Sequence, residues 1–451
     1  MMSTANWQHF ASERLPRYTS YPTAPHFNAA VSASSYRDWL AGLPADRPVS
    51  LYLHIPFCRS MCWYCGCHTT VARRDGPVER YVEALRREIA EVGRITNGAL
   101  VADHVHFGGG TPTILAPESF AELRSHLGRA FKIGEHTEIA IEIDPRTLTG
   151  EMADTLAQSG VTRASIGVQT FDRAVQLAIN RIQSVEQTVD AVKALRQAGI
   201  SAINFDLIYG LPGQTVGSCL ETIDQCLALE PNRLSVFGYA HVPSFKRHQR
   251  KIRQADLPDT AARQQQAEAM AARLVEAGYD RIGLDHFARP DDPMTAAQRN
   301  GTLHRNFQGY TTDRCETLLG LGASAIGRLP QGFVQNQGVI ADYCRRVQQQ
   351  GLATARGYRF QGDDIVRAEL IERLMCDYQV DVSRICARHG VASDIVSDVW
   401  PRLRHLASQN LVVIEGQTIR IPQEARLLVR LVAAAFDAYL GTSARTYSVA
   451  V

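Results

Sequence analysis

Four cysteines, Cys58, Cys62, Cys65 and Cys67, fall within ten residues of the stretch IPFCRSMCWYCGCHTT. The other six (Cys219, Cys226, Cys315, Cys344, Cys376 and Cys386) are scattered. Thiols this close could form disulfides, bind zinc or hold an iron–sulfur cluster. Structural disulfides belong to oxidising compartments. The N-terminal residues have no apolar core of signal-peptide length, and no apolar run reaches membrane-spanning length. The expectation is therefore a cytoplasmic protein with reduced thiols and no membrane partner. Zinc sites usually join two separated ligand pairs, and no second pair is present. One loop spaced CxxxCxxC offers three thiolates to one side of a metal centre. That suits a cubane cluster whose fourth iron is left open, because four-cysteine ligation is the ordinary electron-carrier pattern. Cys67 need not reach the same centre, and its offset from Cys65 is read as turning its side chain away from that neighbour if the backbone there is extended.

Such a loop must be carried by a scaffold. At 451 residues the chain calls for a large domain plus an accessory one. Its 45% hydrophobic and 21% charged residues are ordinary for a soluble protein. A net charge of +2 argues against a general nucleic-acid binder. Strand-like runs at 50–55, 103–107, 138–144, 163–169, 203–209, 233–239 and 280–285 alternate with helical segments, among them VEQTVDAVKALRQAG with Gly199 as a C-cap candidate. Repeated βα units imply a parallel sheet with helices outside, an α/β partial barrel whose chemistry gathers at the C-terminal strand ends. The cysteine loop follows the first strand and so sits at that mouth. GGGTPT (108–113) follows the second, Glu142 and Asp144 end the third, Gln169 the fourth and Asp206 the fifth. The expected divisions are an N-terminal arm (1–45), the barrel (46–330) and a small, mainly helical C-terminal domain (331–451). The helical pattern with a short LVVIEGQTIRI hairpin begins near residue 360 and is expected to cover the barrel mouth.

CxxxCxxC with Tyr64 before the last cysteine, and GGGTP after the next strand, resembles the radical S-adenosylmethionine enzymes. More narrowly, RYTSYPTA, YLHIPFC, CWYCGC, IEIDPR, GVQTF, DLIYGLPGQT, DHFARP and HRNFQGYTT resemble the oxygen-independent coproporphyrinogen III oxidase family, over residues 17 to about 326. The resemblance implies that Cys58, Cys62 and Cys65 hold a [4Fe–4S] cluster whose open iron chelates S-adenosylmethionine. It implies a 5′-deoxyadenosyl radical that takes a β-hydrogen from a propionate, with loss of CO2 and one electron leaving a vinyl group. Two propionates of coproporphyrinogen III react, giving protoporphyrinogen IX in heme synthesis. Two S-adenosylmethionine molecules are implied. Tyr52, Gly109, Glu142 and Ile326 match contacts to the cluster-bound one. Tyr64, Gly110, Thr111 and Gln169, with Arg181, Asp206 and Ala240, match contacts to the second.

A substrate with four propionates needs cations. Arg17 and the basic run FKRHQRKIRQ (Lys246, Arg247, Arg250, Lys251 and Arg253) are candidates, although a charge run is usually a solvated face. Phe307 and Gln308 fall in a family segment near the active site, and the extra Cys67 is expected to serve substrate chemistry. The rival readings are a related heme chaperone and a heme-acting radical enzyme. The fourth nearby cysteine and the RYTSYP arm speak against the chaperone. An electron donor, an electron acceptor and a monomeric state are also expected.

Overall fold

The computed structural model describes residues 10 and 13–441. Its centre is a twelve-stranded sheet made of β1 (Val49–Ile55), β2 (Val101–Gly109), β3 (Lys132–Ile143), β4 (Arg163–Gln169), β5 (Ala202–Tyr209), β6 (Arg233–Gly238), β7 (Asp280–Ile282), β8 (His286–Ala288), β9 (Thr317–Leu321), β10 (Ile326–Leu329), β11 (Gly332–Asn336) and β12 (Thr354–Arg359). The order across the sheet is β12-β11-β10-β9-β1-β2-β3-β4-β5-β6-β8-β7. From β9 to β6 every neighbouring pair is parallel, and the strands beyond them on both edges are antiparallel. The barrel is therefore partial and open.

Helices α1 (Gly76–Ile95), α2 (Pro117–Ala130), α3 (Gly150–Gln158), α4 (Val185–Gln197), α5 (Val216–Leu227) and α6 (Thr260–Glu276) connect or follow the strands. Local chemistry sets their ends. Capping boxes start α4 at Ser184 and α5 at Thr215, and Gly199 follows α4 at φ +99°, the left-handed turn a residue without Cβ makes readily.

Side chains alternate across each strand. Leu51, Leu53, Ile139, Ile141, Phe205 and Leu207 face the helices and are buried in the main core. The residues between them, among them Tyr52, Glu142, Ser165 and Asp206, are only partly covered. A parallel sheet ordinarily hides apolar residues on both faces. Here the concave face is polar, so it lines a chamber instead of a second core.

Two expectations are corrected. Residues 280–285 do not form a parallel strand: they give the short antiparallel β7 at the sheet's far edge and the turn after it. The remaining parallel strand is β9, beside β1, drawn from a five-residue apolar run without a βα unit of its own. The sheet also continues past residue 330 through the antiparallel β11 and β12 to Arg359. The helical region starts at α7 (Asp364–Asp377), near the change of pattern at 360. Its core takes in Phe10, Leu15, Tyr18 and Tyr21, so the arm docks on the C-terminal region.

The turn between β9 and β10, which delivers Ile326, is fixed from beneath. The fully buried Glu88 of α1 accepts from Gly322 N at 2.7 Å, from Tyr343 Oη at 2.7 Å and from Asn336 Nδ2 at 2.6 Å.

Candidate active site

The cysteine loop leaves the end of β1 and is held mainly through its backbone. Trp63 N donates to Ile179 O at 2.8 Å, and Thr70 N to Pro56 O at 2.8 Å. The basic run after β6 supplies three more ties. His248 Nε2 donates to Cys65 O at 2.7 Å, Lys246 Nζ to Cys67 O at 2.8 Å and Gln249 Nε2 to Tyr64 O at 2.9 Å. Lys251 lies over the Trp63 ring at 5.1 Å. Arg253 pairs with Asp256 at 2.7 Å, and Arg250 donates to Pro243 O at 3.3 Å. Much of the run proposed from sequence to hold propionates thus clamps the cysteine loop or folds back on itself.

Gln249 is the strongest tie. It is fully buried, also donates to Ala240 O at 3.2 Å, and accepts from Val242 N at 2.6 Å. Gln249→Leu would strand three backbone groups, each costing about 1–3 kcal/mol when buried unpaired. The expected result is a melting temperature lower by several degrees and faster bleaching of a reconstituted cluster in air. A bleaching rate equal to wild type would remove this clamp from the account.

The thiols meet a donor set that suits thiolate ligands. Thr111 Oγ1 donates to Cys58 Sγ at 3.4 Å, and Thr69 Oγ1 lies 3.3 Å from the same sulfur. Arg146 Nη2 and Arg181 Nη1 donate to Cys62 Sγ at 3.7 and 3.6 Å. Cations and N–H groups aimed at sulfur favour its charged form. Among the described residues, no group of three His, Cys, Asp or Glu could hold one metal ion, whereas the thiolates of a four-iron cluster sit at separate corners. The loop fits the cluster. The Cys67 thiol beside it draws Cys65 down to about 7, while Cys67 itself is pushed well above the usual range.

Behind Cys62 stands a buried charge group. Arg146 Nη2 reaches Asp144 Oδ2 at 2.6 Å, and Arg181 Nη1 the same oxygen at 3.3 Å. Burial pushes Asp144 up, yet Arg181 and Arg146 hold it below the usual carboxylate range. Arg181 also donates to Gly167 O at 2.5 Å, and its buried Nε has no partner among the described residues. Gln169 ends β4 at φ +68°, a conformation that non-glycine residues seldom adopt and that turns the chain at this strand end.

The glycine run closes the other side. A Cβ on Gly109 would lie 2.6 Å from the His54 ring, and one on Gly110 would lie 2.5 Å from Phe57 O. Only glycine lets this backbone lie against β1. Gly109 N donates to Glu142 Oε2 at 3.0 Å, and His106 Nε2 lies 3.2 Å from Glu142 Oε1. Burial raises Glu142, but His106 and the Gly109 N–H outweigh it and keep the carboxyl below its ordinary range. Tyr52 stacks on His106 with centroids 5.9 Å apart, and its Oη lies 2.9 Å from His54 Nδ1. Deeper in the chamber Asp206 accepts from Ser165 Oγ at 2.9 Å, and burial followed by the Glu142 charge pushes its pKa up.

The structure thus joins Tyr52, Gly109, Gly110, Thr111, Glu142 and Cys58 in one wall, and Cys62 with Arg181 in the next. Tyr64 packs in a separate apolar group with Ile179, Leu211 and Tyr239. Ala240 offers its carbonyl to Gln249. Ile326 and Phe307 pack together against Phe333 and Phe27, with Phe307 and Phe333 centroids 6.2 Å apart. Gln308 lies in the turn of the Asn306–Gly309 hairpin, where its N–H donates to Asn306 Oδ1 at 2.9 Å. Sequence reasoning missed His54, His106, Arg146 and Gln249 as supports. The signals were indirect: His54 lies in YLHIPFC, Gln249 in FKRHQRKIRQ, and Arg146 in IEIDPR, two residues past Asp144.

The Radical SAM superfamily pattern matches residues 52–226, the segment that carries the cysteine loop and the first strand ends. The chain is 56% identical to the oxygen-independent coproporphyrinogen III oxidase of Bradyrhizobium diazoefficiens over 98% of both chains. The chain belongs to the oxygen-independent coproporphyrinogen III oxidase family. Its relative of that name in Escherichia coli is 40% identical, covering 95% of this chain and 94% of the other. A solved structure of coproporphyrinogen III oxidase from Escherichia coli, described as a radical SAM enzyme, superposes with a TM-score of 0.90 at 38% identity, over 95% of this chain and all of that one. Membership implies a [4Fe–4S] cluster and S-adenosylmethionine for this family member. The fold agrees with the partial barrel expected from sequence. Among the described residues, no helix is long and apolar enough to cross a membrane.

Proposed function

We propose that this chain oxidatively decarboxylates two propionates of coproporphyrinogen III to vinyl groups without oxygen, giving protoporphyrinogen IX in heme synthesis. The carrying observation is full-length kinship at 56% identity with an oxidase of that name. The three-thiol loop at the rim of an open, polar chamber supports it. Bound together, the cluster and S-adenosylmethionine supply the 5′-deoxyadenosyl radical that removes a propionate β-hydrogen.

The chain's residues hold and orient. Cys58, Cys62 and Cys65 are the cluster ligands in this reading, steadied by Thr111, Arg146 and Arg181. Tyr52, Gly109, Glu142 and Ile326 contact the cluster-bound S-adenosylmethionine. Tyr64, Gly110, Thr111, Gln169, Arg181, Asp206 and Ala240 face a second molecule, while Cys67, Phe307 and Gln308 face substrate. Arg181 is already engaged by Asp144 and Gly167, so its share in that second site is its unpartnered Nε. The arm (1–45) and a C-terminal domain starting near 360 close the barrel and keep water from the radical. The enzyme is cytoplasmic and monomeric in this reading, and it draws on a separate electron donor and acceptor.

The test is anaerobic incubation of the reconstituted protein with S-adenosylmethionine, a reductant and coproporphyrinogen III, with cell extract as acceptor source. Protoporphyrinogen IX, two CO2 per substrate, and 5′-deoxyadenosine with methionine are expected. Tight heme binding with intact propionates would favour a chaperone, and heme consumption a ring-opening enzyme. Cofactor cleavage without a vinyl product, where an established family member works, would overturn the function and leave the radical class standing.

A further inference from the structure

Near one edge of the sheet a second cavity is lined by arginines. Tyr209 of β5, Val236 and Gly238 of β6, Ala267 of α6, and Ala240 past the end of β6 form part of its wall. Arg263 comes from α6, Arg281 from β7, Arg305 from the hairpin before β9, Arg17 from the arm and Arg430 from the C-terminal region. Among the described residues, the lining sets one carboxylate, Asp285, against these five guanidinium groups.

Arg17 and Arg281 have neutral partners. Arg17 Nη2 donates to Gly238 O at 3.3 Å, and Arg281 Nη2 to Leu284 O at 3.0 Å. Arg430 Nε donates to Pro16 O at 2.9 Å, while Arg305 and Arg263 lie over the rings of Tyr310 and Tyr209 at 4.5 and 5.6 Å. Asp285 is itself engaged by His286 Nδ1 at 2.8 Å. Nε of Arg263, Arg281 and Arg305, with Nη1 of Arg305, are buried and unpartnered among the described residues. A buried donor left unmade is costly, and more so when it is charged. Planar guanidinium forks converging from five segments match the oxygens of a carboxylate or phosphate.

We infer that this cavity binds a small oxyanion of the carboxylate or phosphate class, beside Ala240 at the margin of the cysteine-loop chamber, and that the bound anion ties the arm and the C-terminal region to the sheet edge. Burial, and next the charge of Arg17, draw Arg430 down to about 9. Free phosphate and a propionate of a porphyrin share the required chemistry. The inference stands whether or not the proposed reaction is right, because its readout is binding.

The experiment titrates the full chain with inorganic phosphate at constant ionic strength, against chloride, by calorimetry and thermal unfolding. Saturable binding with a melting temperature that rises to a plateau is expected. Arg263→Met removes no hydrogen bond seen among the described residues and should weaken phosphate binding at least tenfold. Arg17→Gln, a milder change on another segment, should weaken it severalfold. Circular dichroism checks that both variants fold. A second arm adds coproporphyrin III: loss of the phosphate heat assigns the site to a porphyrin propionate, and its retention assigns it to a free oxyanion. No saturable binding beyond the chloride control, or wild-type affinity in both folded variants, would overturn the inference.

Discussion

Replacing Cys58, Cys62 or Cys65 with alanine is expected to abolish the anaerobic iron–sulfur absorption band and all turnover of coproporphyrinogen III, with the fold retained. The loop does not depend on its sulfurs for its shape. It is tied by main-chain bonds from Trp63 and Thr70 and by Lys246, His248 and Gln249 reaching its carbonyls. Losing one thiol leaves a cluster with two ligands from this loop, and iron–sulfur clusters are held by cysteine thiolates. Cys62 is the most demanding position. It is 8% exposed and faces two guanidinium groups, so Cys62→Ala also leaves Arg146 and Arg181 facing a void. Cys67→Ser is the contrast: its cluster should persist while activity falls, because Cys67 sits beside the chamber as an exposed residue. A full [4Fe–4S] signal in any of the three alanine variants would remove that residue from the ligand set. A cluster-free Cys67→Ser protein would place Cys67 among the supports of the loop.

The parts of the fold legible in the sequence were those with a repeating period. β1 to β6 read as alternating or apolar runs between helices with clear caps, and strand ends located the loop, Gly109, Glu142 and Asp206. What escaped was set by long-range pairing. The five-residue β9 carries no βα signature, yet it completes the parallel set by lying beside β1. β11 and β12 join the sheet as an antiparallel meander that a reading for helices passes over. The site's supports were hidden for the same reason. Nothing local says that Gln249 reaches back to Tyr64, or that Arg17 meets Arg263, Arg281, Arg305 and Arg430 across four other segments. A charge run reads as a solvated face until its partners are known, and here its lysines and histidine found the cysteine loop.

Glu142→Gln and Asp206→Asn should both fold and keep iron, yet bind S-adenosylmethionine more weakly, and their pH responses should differ. Glu142 stands at the Gly109 end of the chamber with 37% of its side chain accessible, free to accept from a ligand while holding Gly109 N–H. A buried hydrogen bond to a charged group is worth roughly 1.5–3 kcal/mol, so removing the charge should weaken binding by roughly 10- to 150-fold. The two carboxyls are displaced in opposite directions. Glu142 is held below its ordinary value and stays ionised as the medium is acidified, whereas burial and the Glu142 charge raise Asp206. Asp206 therefore takes up its proton first as pH falls. Wild-type affinity should show an acid limb above the ordinary carboxylate range, and that limb should be absent in Asp206→Asn and present in Glu142→Gln. In Glu142→Gln it should also move to lower pH, because the charge that raised Asp206 is gone. Equilibrium binding measured anaerobically across pH 5–8 on all three proteins is the check. Equal affinities would leave both carboxyls as structural partners of Gly109 and Ser165, and an acid limb unchanged in Asp206→Asn would move the titrating group elsewhere in the chamber.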